Sequence, residues 1–187
     1  DGGTTWTDLS DNARYSGTTS DQLDITGARN GMNGNQYRVV ADNGCFSANS
    51  AVATLTVNPL PKITTDPSST LICPNGNATF TAAASGVGLS YQWQVNDGNG
   101  WANLSNDPTY SNVTTTTLNI TNAQYAIDGY RNRMVATSSV CAPRVRSAAA
   151  TLSVGTNINI TQQPVTSRIC ANTSTTFSTD AVSSNVT

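Results

Sequence analysis

The chain has 187 residues, with nine Lys and Arg against eleven acidic residues and a formal net charge of −2. Every acidic residue is an aspartate, and the chain contains no histidine. A Ser-His-Asp or Cys-His catalytic arrangement is therefore impossible. Because the net charge is slightly negative, we expect no basic surface that would bind nucleic acid or anionic membranes. We expect no enzymatic activity, no cofactor, no catalytic or metal-binding residue and no nucleic-acid partner.

The composition favours strands. Strong helix formers are scarce, whereas Thr, Val and Ile are abundant and fit a pleated sheet. Short apolar runs alternate with Gly, Asn, Asp, Ser and Pro, which is typical of an all-β sandwich. No apolar run approaches the roughly 18–20 residues of a membrane-spanning helix, so we expect no membrane insertion within this stretch.

The sequence repeats itself. Residues 6–40 match residues 101–135 at a constant separation of 95, which grows to 96 at Cys45 and Cys141 and then to 97. The shifts fall in turns, where loops tolerate insertions. The repeat unit is therefore about 96 residues long. We predict three pieces, namely 1–58 as the C-terminal part of one repeat, 59–155 as a complete repeat, and 156–187 as the N-terminal part of a following repeat.

In the complete repeat, turn-forming residues and the alternation of apolar and polar residues predict the strands in chain order. Pro67 interrupts the first strand, because proline is excluded from central strands. The predicted segments are Lys62–Asp66 and Ser69–Ile72, then strand B (Asn77–Ala84), strand C (Leu89–Val95), a continuation at Trp101–Leu104, strand E (Thr117–Thr121), strand F (roughly Tyr130–Thr137) and strand G (roughly Ala148–Val154).

Tyr91–Val95 is the central stretch of this repeat. Its alternation places Tyr91, Trp93 and Val95 on one face of a half-buried strand. Asp1 corresponds to Asn96 and Thr187 to Ser90, so this stretch occurs only once. The predicted core comprises Trp93, Phe80, Leu118, Ile120 and Met134.

The motifs resemble a known family. They are Thr-x-Pro followed by Cys-x-x-Gly-Asn-x-Thr-Phe, Tyr-Gln-Trp-Gln, Trp-x-x-Leu, Leu-x-Ile-Thr and Ala-Thr-Leu-x-Val. Essentially the whole chain is similar to the immunoglobulin-like (Ig-like) tandem repeats of large Bacteroidetes surface proteins, such as gliding-motility adhesins and type IX secretion substrates. The resemblance implies an extracellular or cell-surface spacer or adhesin segment without enzymatic activity.

The chain departs from vertebrate immunoglobulin domains at the core disulfide. Ala82 and Met134 (Val39 in the first copy) stand where the two cysteines would be. We therefore expect apolar packing in place of that bond. The tyrosine of the strand-F corner is Tyr37 in the first copy, but the second copy has Asn132 there.

Four cysteines, Cys45, Cys73, Cys141 and Cys170, have neither CxxC spacing nor a histidine to complete a zinc site. Disulfides in an oxidising compartment are the favoured interpretation. Cys73 precedes strand B, whereas Cys141 lies beyond strand F at the opposite end of the repeat, and a disulfide needs Cα atoms within about 7 Å. We predict that each cysteine bonds a neighbouring repeat, with partners outside this sequence. The alternative is a Cys73–Cys141 bond within one repeat.

Three further residue groups have alternative interpretations. Four aspartates of the first copy could form a calcium site, but uncharged residues replace them in the second copy, which indicates surface and turn positions. Trp6 and Trp101 either cover a sheet edge or stack on carbohydrate. The arginines of strands F and G either form a small basic face or are simply solvated. The aspartates are Asp8, Asp11, Asp21 and Asp24; the arginines are Arg131, Arg133, Arg144 and Arg146.

These features predict a stalk or adhesive fibre built from rigid repeats. Its expected partners are neighbouring repeats of the same polypeptide and, in addition, surface glycans or other cell-surface proteins. The alternative function is a carbohydrate- or protein-binding accessory module of a multidomain secreted enzyme. The end pieces either belong to a long fibre or complement another chain by strand donation, and the fibre is favoured.

Overall fold

The computed structural model of the chain describes residues 5–142 and 144–184. Asp1 and Thr187, the ends of the predicted outer pieces, lie outside the described residues. The chain divides into two compact units, Asp1–Leu60 and Pro61–Thr187. The boundaries of the three predicted repeat pieces stay a prediction.

Short antiparallel strand pairs make up the first unit. β1 pairs with β2, β3 with β6, and β4 with β5. These strands are β1 (Tyr15–Ser16), β2 (Asp24–Ile25), β3 (Gln36–Tyr37), β4 (Val40–Asp42), β5 (Ser47–Asn49) and β6 (Ala53–Thr54), with a 3₁₀ turn at Asn30–Met32.

The second unit contains longer strands. In chain order they are β7 (Lys62–Thr65), β8 (Thr70–Ile72), β9 (Gly76–Thr81), β10 (Ala83–Ser85), β11 (Leu89–Asn96), β12 (Trp101–Asn103), β13 (Tyr110–Ser111), β14 (Thr117–Ala123), β15 (Arg131–Ser138), β16 (Val145–Arg146), β17 (Ala150–Val154), β18 (Asn157–Gln162) and β19 (Asp180–Ser184), with a 3₁₀ turn at Tyr125–Ile127.

Two sheets form the sandwich of the second unit. One has the order β12-β11-β15-β17-β8, and β16 also pairs with β15. The other is built around β13-β14-β9, and β7 pairs with β10, which continues the line of β9. In immunoglobulin lettering these are the C′-C-F-G-A′ and D-E-B-A strands. The predicted all-β, Ig-like sandwich is therefore confirmed.

Pro67 marks the point where the chain changes sheets. The predicted interrupted first strand consists of two strands, β7 in one sheet and β8 in the other. β8 runs parallel to β17, with Thr70 opposite Leu152. Pro67 follows the end of the β7–β10 ladder, so its missing backbone N–H removes no hydrogen bond from that ladder.

Trp93 occupies the centre of the sandwich. Its side chain is 0% exposed, and its indole Nε1–H donates a 2.9 Å hydrogen bond to the carbonyl oxygen of Thr115. The other residues expected in the core are also fully buried: Phe80, Leu118, Ile120 and Met134. Ala82 is buried as well, so apolar packing fills the region where an immunoglobulin disulfide would lie.

One local prediction was wrong, and one strand was missed. The expected single strand Asn77–Ala84 divides into β9 and β10, because Ala82 donates its backbone N–H to Thr116 and the register shifts next to it. β13 was not predicted at all. A two-residue strand between turns carries no measurable alternation.

An open groove lies within the first unit. It has a volume of about 880 Å³ and is lined by residues that include Leu9, Tyr15, Leu23 and Val39. At the repeat separation of 95 these correspond to Leu104, Tyr110, Leu118 and Met134, which contact or form the core of the second unit. Phe80 and Trp93 have no counterparts among the described residues of the first unit.

β18 and β19 form a hairpin near the end of the chain. Their pairing reproduces that of β7 with β10, because Ile160 faces Ala181 as Ile63 faces Ala84. The backbone of Asn172 has a positive φ of 67°, and Asn75 has φ 63° at the equivalent position. Asparagine tolerates this left-handed region better than most residues. The third segment therefore begins with the same local structures as the second repeat.

Candidate functional site

Trp101 and Arg133 form a stacked pair on the outer face of the C′-C-F sheet. The guanidinium carbon of Arg133 lies 3.8 Å from the centroid of the Trp101 ring. In the first unit Arg38 lies 4.2 Å from the centroid of Trp6, and both residues stand 95 positions before their counterparts. The cation–π contact is therefore a feature of the repeat, and it covers one surface of each indole.

A ladder of amide side chains continues from this pair across the sheet. Arg133 donates from Nε to Oε1 of Gln94 at 2.9 Å. Gln94 in turn donates from Nε2 to Oδ1 of Asn103, also at 2.9 Å. The ladder requires these residues to lie opposite one another on β12, β11 and β15, as the strand register places them. It holds the Arg133 guanidinium in a fixed orientation.

Three more arginines surround Arg133, and we call the four together the basic face. Arg146 lies opposite Val135, which places it on the same side of the sheet as Arg131 and Arg133. Burial, and to a smaller extent the charges of Arg146 and Arg144, lower the pKa of Arg133. Among the described residues, no carboxylate forms an ion pair with any of the four.

The two copies share a serine bridge between strands F and G. In the second unit, Met134 donates its N–H to Ser147 Oγ at 2.9 Å, and Ser147 Oγ–H donates to the carbonyl of Ala148 at 2.8 Å. In the first unit, Val39 donates to Ser50 Oγ at 3.0 Å, and Ser50 donates to Ala51 at 2.8 Å. Each repeat thus closes its F–G connection in the same way.

A second shared contact joins the turn before strand F to the end of strand G. Asp128 Oδ1 accepts the N–H of Val154 at 2.7 Å, and Asn33 Oδ1 accepts that of Val57 at 2.9 Å. The side chain can be Asp or Asn because only a carbonyl-type oxygen is needed. The repeat therefore preserves hydrogen bonds where it does not preserve residue types.

Among the aspartates of the first copy, Asp11 stabilises a turn. Asp11 Oδ1 accepts hydrogen bonds from the side chain of Thr18 at 2.7 Å and from its backbone N–H at 2.9 Å. These bonds lower the pKa of Asp11. In the second copy Asn106 accepts from the N–H of Val113 at 3.2 Å. Within the described ranges, no group of three or more His, Cys, Asp or Glu side chains could hold a metal ion.

The cysteines lie at the tips of the repeat. Cys45 is in the β4–β5 turn, and Cys141 follows β15 in the equivalent connection. Cys73 and Cys170 lie in the turns that contain the positive-φ residues Asn75 and Asn172. In the described part of the chain no disulfide joins any two of these four residues. Their predicted bonds to other repeats stay a prediction.

The two copies differ most at the strand-F corner. The Tyr37 hydroxyl contacts the Tyr15 hydroxyl at 3.4 Å. Asn132 at the same position is buried, and neither amide atom has a hydrogen-bond partner. Tyr110, the counterpart of Tyr15, is half-buried, and this burial raises its pKa to about 12.

Comparison with known proteins supports the fold. The chain matches no family model and no curated protein. The structure titled DIP-gamma IG1+IG2 has a TM-score of 0.52 and 19% identity, with 78% of this chain and 73% of that one covered. Extracellular domains 3–5 of Drosophila OTK have a TM-score of 0.48 and 20% identity over 65% of this chain.

A chimeric titin Z1Z2 structure has a TM-score of 0.42 and 25% identity, with 53% of this chain and 97% of that chain covered. The chain spans 40% of the length of the OTK structure. The likeness to DIP-gamma IG1+IG2 shows that the fold is Ig-like.

No helix within the described residues combines the length and the apolar character needed to cross a membrane.

Proposed function

We propose that this chain is a segment of a large secreted bacterial surface protein, in which Ig-like repeats act as rigid, non-enzymatic spacers of a stalk or adhesive fibre. The parallel pairing of β8 with β17 is the observation that carries the proposal. When the early and late strands of a sandwich run parallel, the chain enters at one end and leaves at the other. Tandem copies then join end to end and extend linearly.

The bacterial and extracellular parts of the proposal rest on the sequence motifs. The repeat combines Tyr-Gln-Trp-Gln around Trp93 with the Ala-Thr-Leu-x-Val strand, as in the tandem repeats of Bacteroidetes surface proteins. The repeated Trp–Arg pair and the repeated serine bridge support a tandem architecture. In such an array each module contacts chiefly its neighbours, and length grows with copy number.

Small-angle X-ray scattering of two-, four- and six-repeat arrays tests the spacer function. We expect the maximum dimension to grow linearly, by roughly 40 Å per repeat for a sandwich of this size. Arrays whose maximum dimension stays nearly constant as repeats are added would show that the modules fold back on one another. That result would contradict the proposal.

Disulfides between neighbouring repeats are a further part of this proposal. Cys73 lies in the A–B turn and Cys141 in the F–G connection, and these regions lie at opposite ends of a sandwich. Two such thiols lose two protons and two electrons to an oxidant of the extracellular compartment and form one S–S bond. Non-reducing peptide mapping of a three-repeat array should recover an A–B peptide linked to an F–G peptide of another repeat. A peptide pair in which Cys73 is linked to Cys141 of the same repeat would contradict the proposed disulfide between repeats.

A second candidate function is a carbohydrate- or protein-binding accessory module beside an enzyme in a longer chain. It is favoured by Trp101, which stays partly exposed beside the amide groups of Gln94 and Asn103. Aromatic rings and amides are frequent components of polar binding surfaces. A glycan array probed with the whole chain distinguishes the candidates, because a pure spacer retains no glycan.

A further inference from the structure

Half of the chain's arginines lie in one short stretch. Residues 131–146 contain four of the eight arginines and no acidic residue, although the chain as a whole carries a net charge of −2. The corresponding residues of the first copy, 36–49, contain Arg38 and Asp42. The repeat fold therefore does not require the extra charges.

The strand register places Arg131, Arg133 and Arg146 on one face, and Arg144 lies next to this face. Arg131 and Arg133 alternate with the buried Asn132 and Met134 along β15. Arg146 on β16 faces Val135, and Arg144, just before β16, lies near enough to Arg133 for its charge to act on that guanidinium. Arg131, Arg144 and Arg146 are exposed, and among the described residues none has a carboxylate partner. Four like charges on one sheet face repel one another unless a ligand neutralises them.

The groups next to the arginines identify the kind of ligand. Trp101 provides an apolar ring, and Gln94 and Asn103 provide amide oxygens and N–H groups along the same face. Sugar hydroxyls hydrogen-bond to amides, while carboxylate and sulfate groups accept paired hydrogen bonds from guanidinium groups. The face spans several strands and is open, so it suits an extended polymer.

We propose that the basic face of the complete repeat, Arg131, Arg133, Arg144 and Arg146 together with Trp101, binds an acidic polysaccharide that carries carboxylate or sulfate groups. This inference gives a ligand class to the second candidate function and rests on it. It is independent of the spacer function, which scattering tests separately.

The first copy supplies a matched variant that the fold should tolerate. Its residues at the three exposed arginine positions are Gln36, Ser47 and Asn49, because β5 pairs with β4 as β16 pairs with β15. The triple variant Arg131→Gln, Arg144→Ser, Arg146→Asn therefore gives the second copy the residues of the first. It leaves the Trp101–Arg133 pair and the amide ladder unchanged. Equal thermal unfolding temperatures for the two proteins would confirm that folding is unaffected.

The experiment measures binding of the whole chain to immobilised polygalacturonate and to immobilised heparin, at low and high ionic strength. Neutral dextran and double-stranded DNA serve as controls. We expect the wild type to bind at least one acidic polysaccharide, with an affinity that falls as salt rises. The triple variant should bind it at least about tenfold more weakly, because it lacks three of the charged contacts. The two polymers distinguish carboxylate from sulfate recognition.

Several results would overturn the proposal. These are binding to neither acidic polymer, equal binding by the triple variant, or equally tight binding to DNA, which would indicate a general polyanion surface. Binding on a glycan array by neutral glycans alone would leave the accessory-module function in place and remove only the acidic-polysaccharide proposal.

Discussion

Asn132 is the one polar side chain among the fully buried large residues of the described chain. Its Nδ2 and Oδ1 atoms have no hydrogen-bond partner. Burial of an unsatisfied amide costs about 1–3 kcal/mol. The first copy avoids this cost with Tyr37, whose hydroxyl reaches that of Tyr15.

We expect Asn132→Leu to raise the free energy of unfolding by about 1–3 kcal/mol, because it replaces the unsatisfied amide with an apolar side chain of the same branched shape. Urea denaturation followed by tryptophan fluorescence measures the change. Asn132→Ala provides the comparison, since it also removes the amide but leaves a cavity, and it should gain less. A Leu variant less stable than the wild type would mean that the amide does find a partner in solution.

Tyr110 should make the stability depend on pH in the alkaline range. Burial raises its pKa from 10.0 to about 12, so the unfolded chain loses this proton at a lower pH than the folded one. The stabilising contribution is present below pH 10 and is lost as the pH rises to about 12. As the pH rises through this range, the denaturation midpoint should therefore fall less steeply for Tyr110→Phe than for the wild type. Identical slopes would show that Tyr110 ionises freely in the folded state.

At the scale of elements, the F–G serine bridge repeats most closely between the two copies. Ser147 is buried, accepts a hydrogen bond from the Met134 N–H and donates one to the Ala148 carbonyl. A hydroxyl in this position satisfies a backbone group where the F–G ladder is interrupted between β16 and β17. The bridge thus stabilises the connection that also carries Arg144 and Arg146.

We expect Ser147→Ala to lower the free energy of unfolding by about 1–2 kcal/mol, because the Met134 N–H loses its acceptor in a buried site. Ser153→Ala on β17 is the control, since no side-chain hydrogen bond of Ser153 is present in the described structure, and it should change little. Chemical denaturation of both variants measures the difference. Equal effects would indicate that the bridge contributes no more than an ordinary serine.

The sequence predicts the central strands well because alternation reports burial directly. β11 and β14 carry Trp93, Leu118 and Ile120 at alternate positions, and all three are buried. Two structural features could not be predicted from the sequence, for different reasons. β13 is too short to show a period, and the change of sheet at Pro67 depends on which partner each half-strand finds.

The candidate site was predicted in part. The sequence indicates the arginines and Trp101 as candidates, but it does not predict that Trp101 stacks on Arg133, because that contact crosses strands and depends on register. The sequence nevertheless contains a pattern that indicates this Trp–Arg contact. Trp6 and Arg38 are separated by the same number of residues as Trp101 and Arg133, and a preserved spacing of two residue types in a repeat indicates a shared contact.

At the scale of the whole molecule, equivalent positions of the two copies differ in burial. Val39 is 50% exposed, whereas its counterpart Met134 is 0% exposed. The difference arises because strands B and C, with Phe80 and Trp93, cover Met134, and the first unit has no described counterparts of these residues. We infer that residues 59–155 hold a self-sufficient core, whereas the described strands β1–β6 and the β18–β19 hairpin are covered less completely.

Hydrogen exchange measured by mass spectrometry on this chain tests that central claim most directly. Exchange slows where backbone amides are both hydrogen-bonded and protected from local opening. We predict slow exchange in β9, β11, β14, β15 and β17, and exchange at least about a hundredfold faster in β1–β6 and in the β18–β19 hairpin. Protection of β1–β6 as strong as that of β15 would contradict the account, because the first unit would then possess a core of its own.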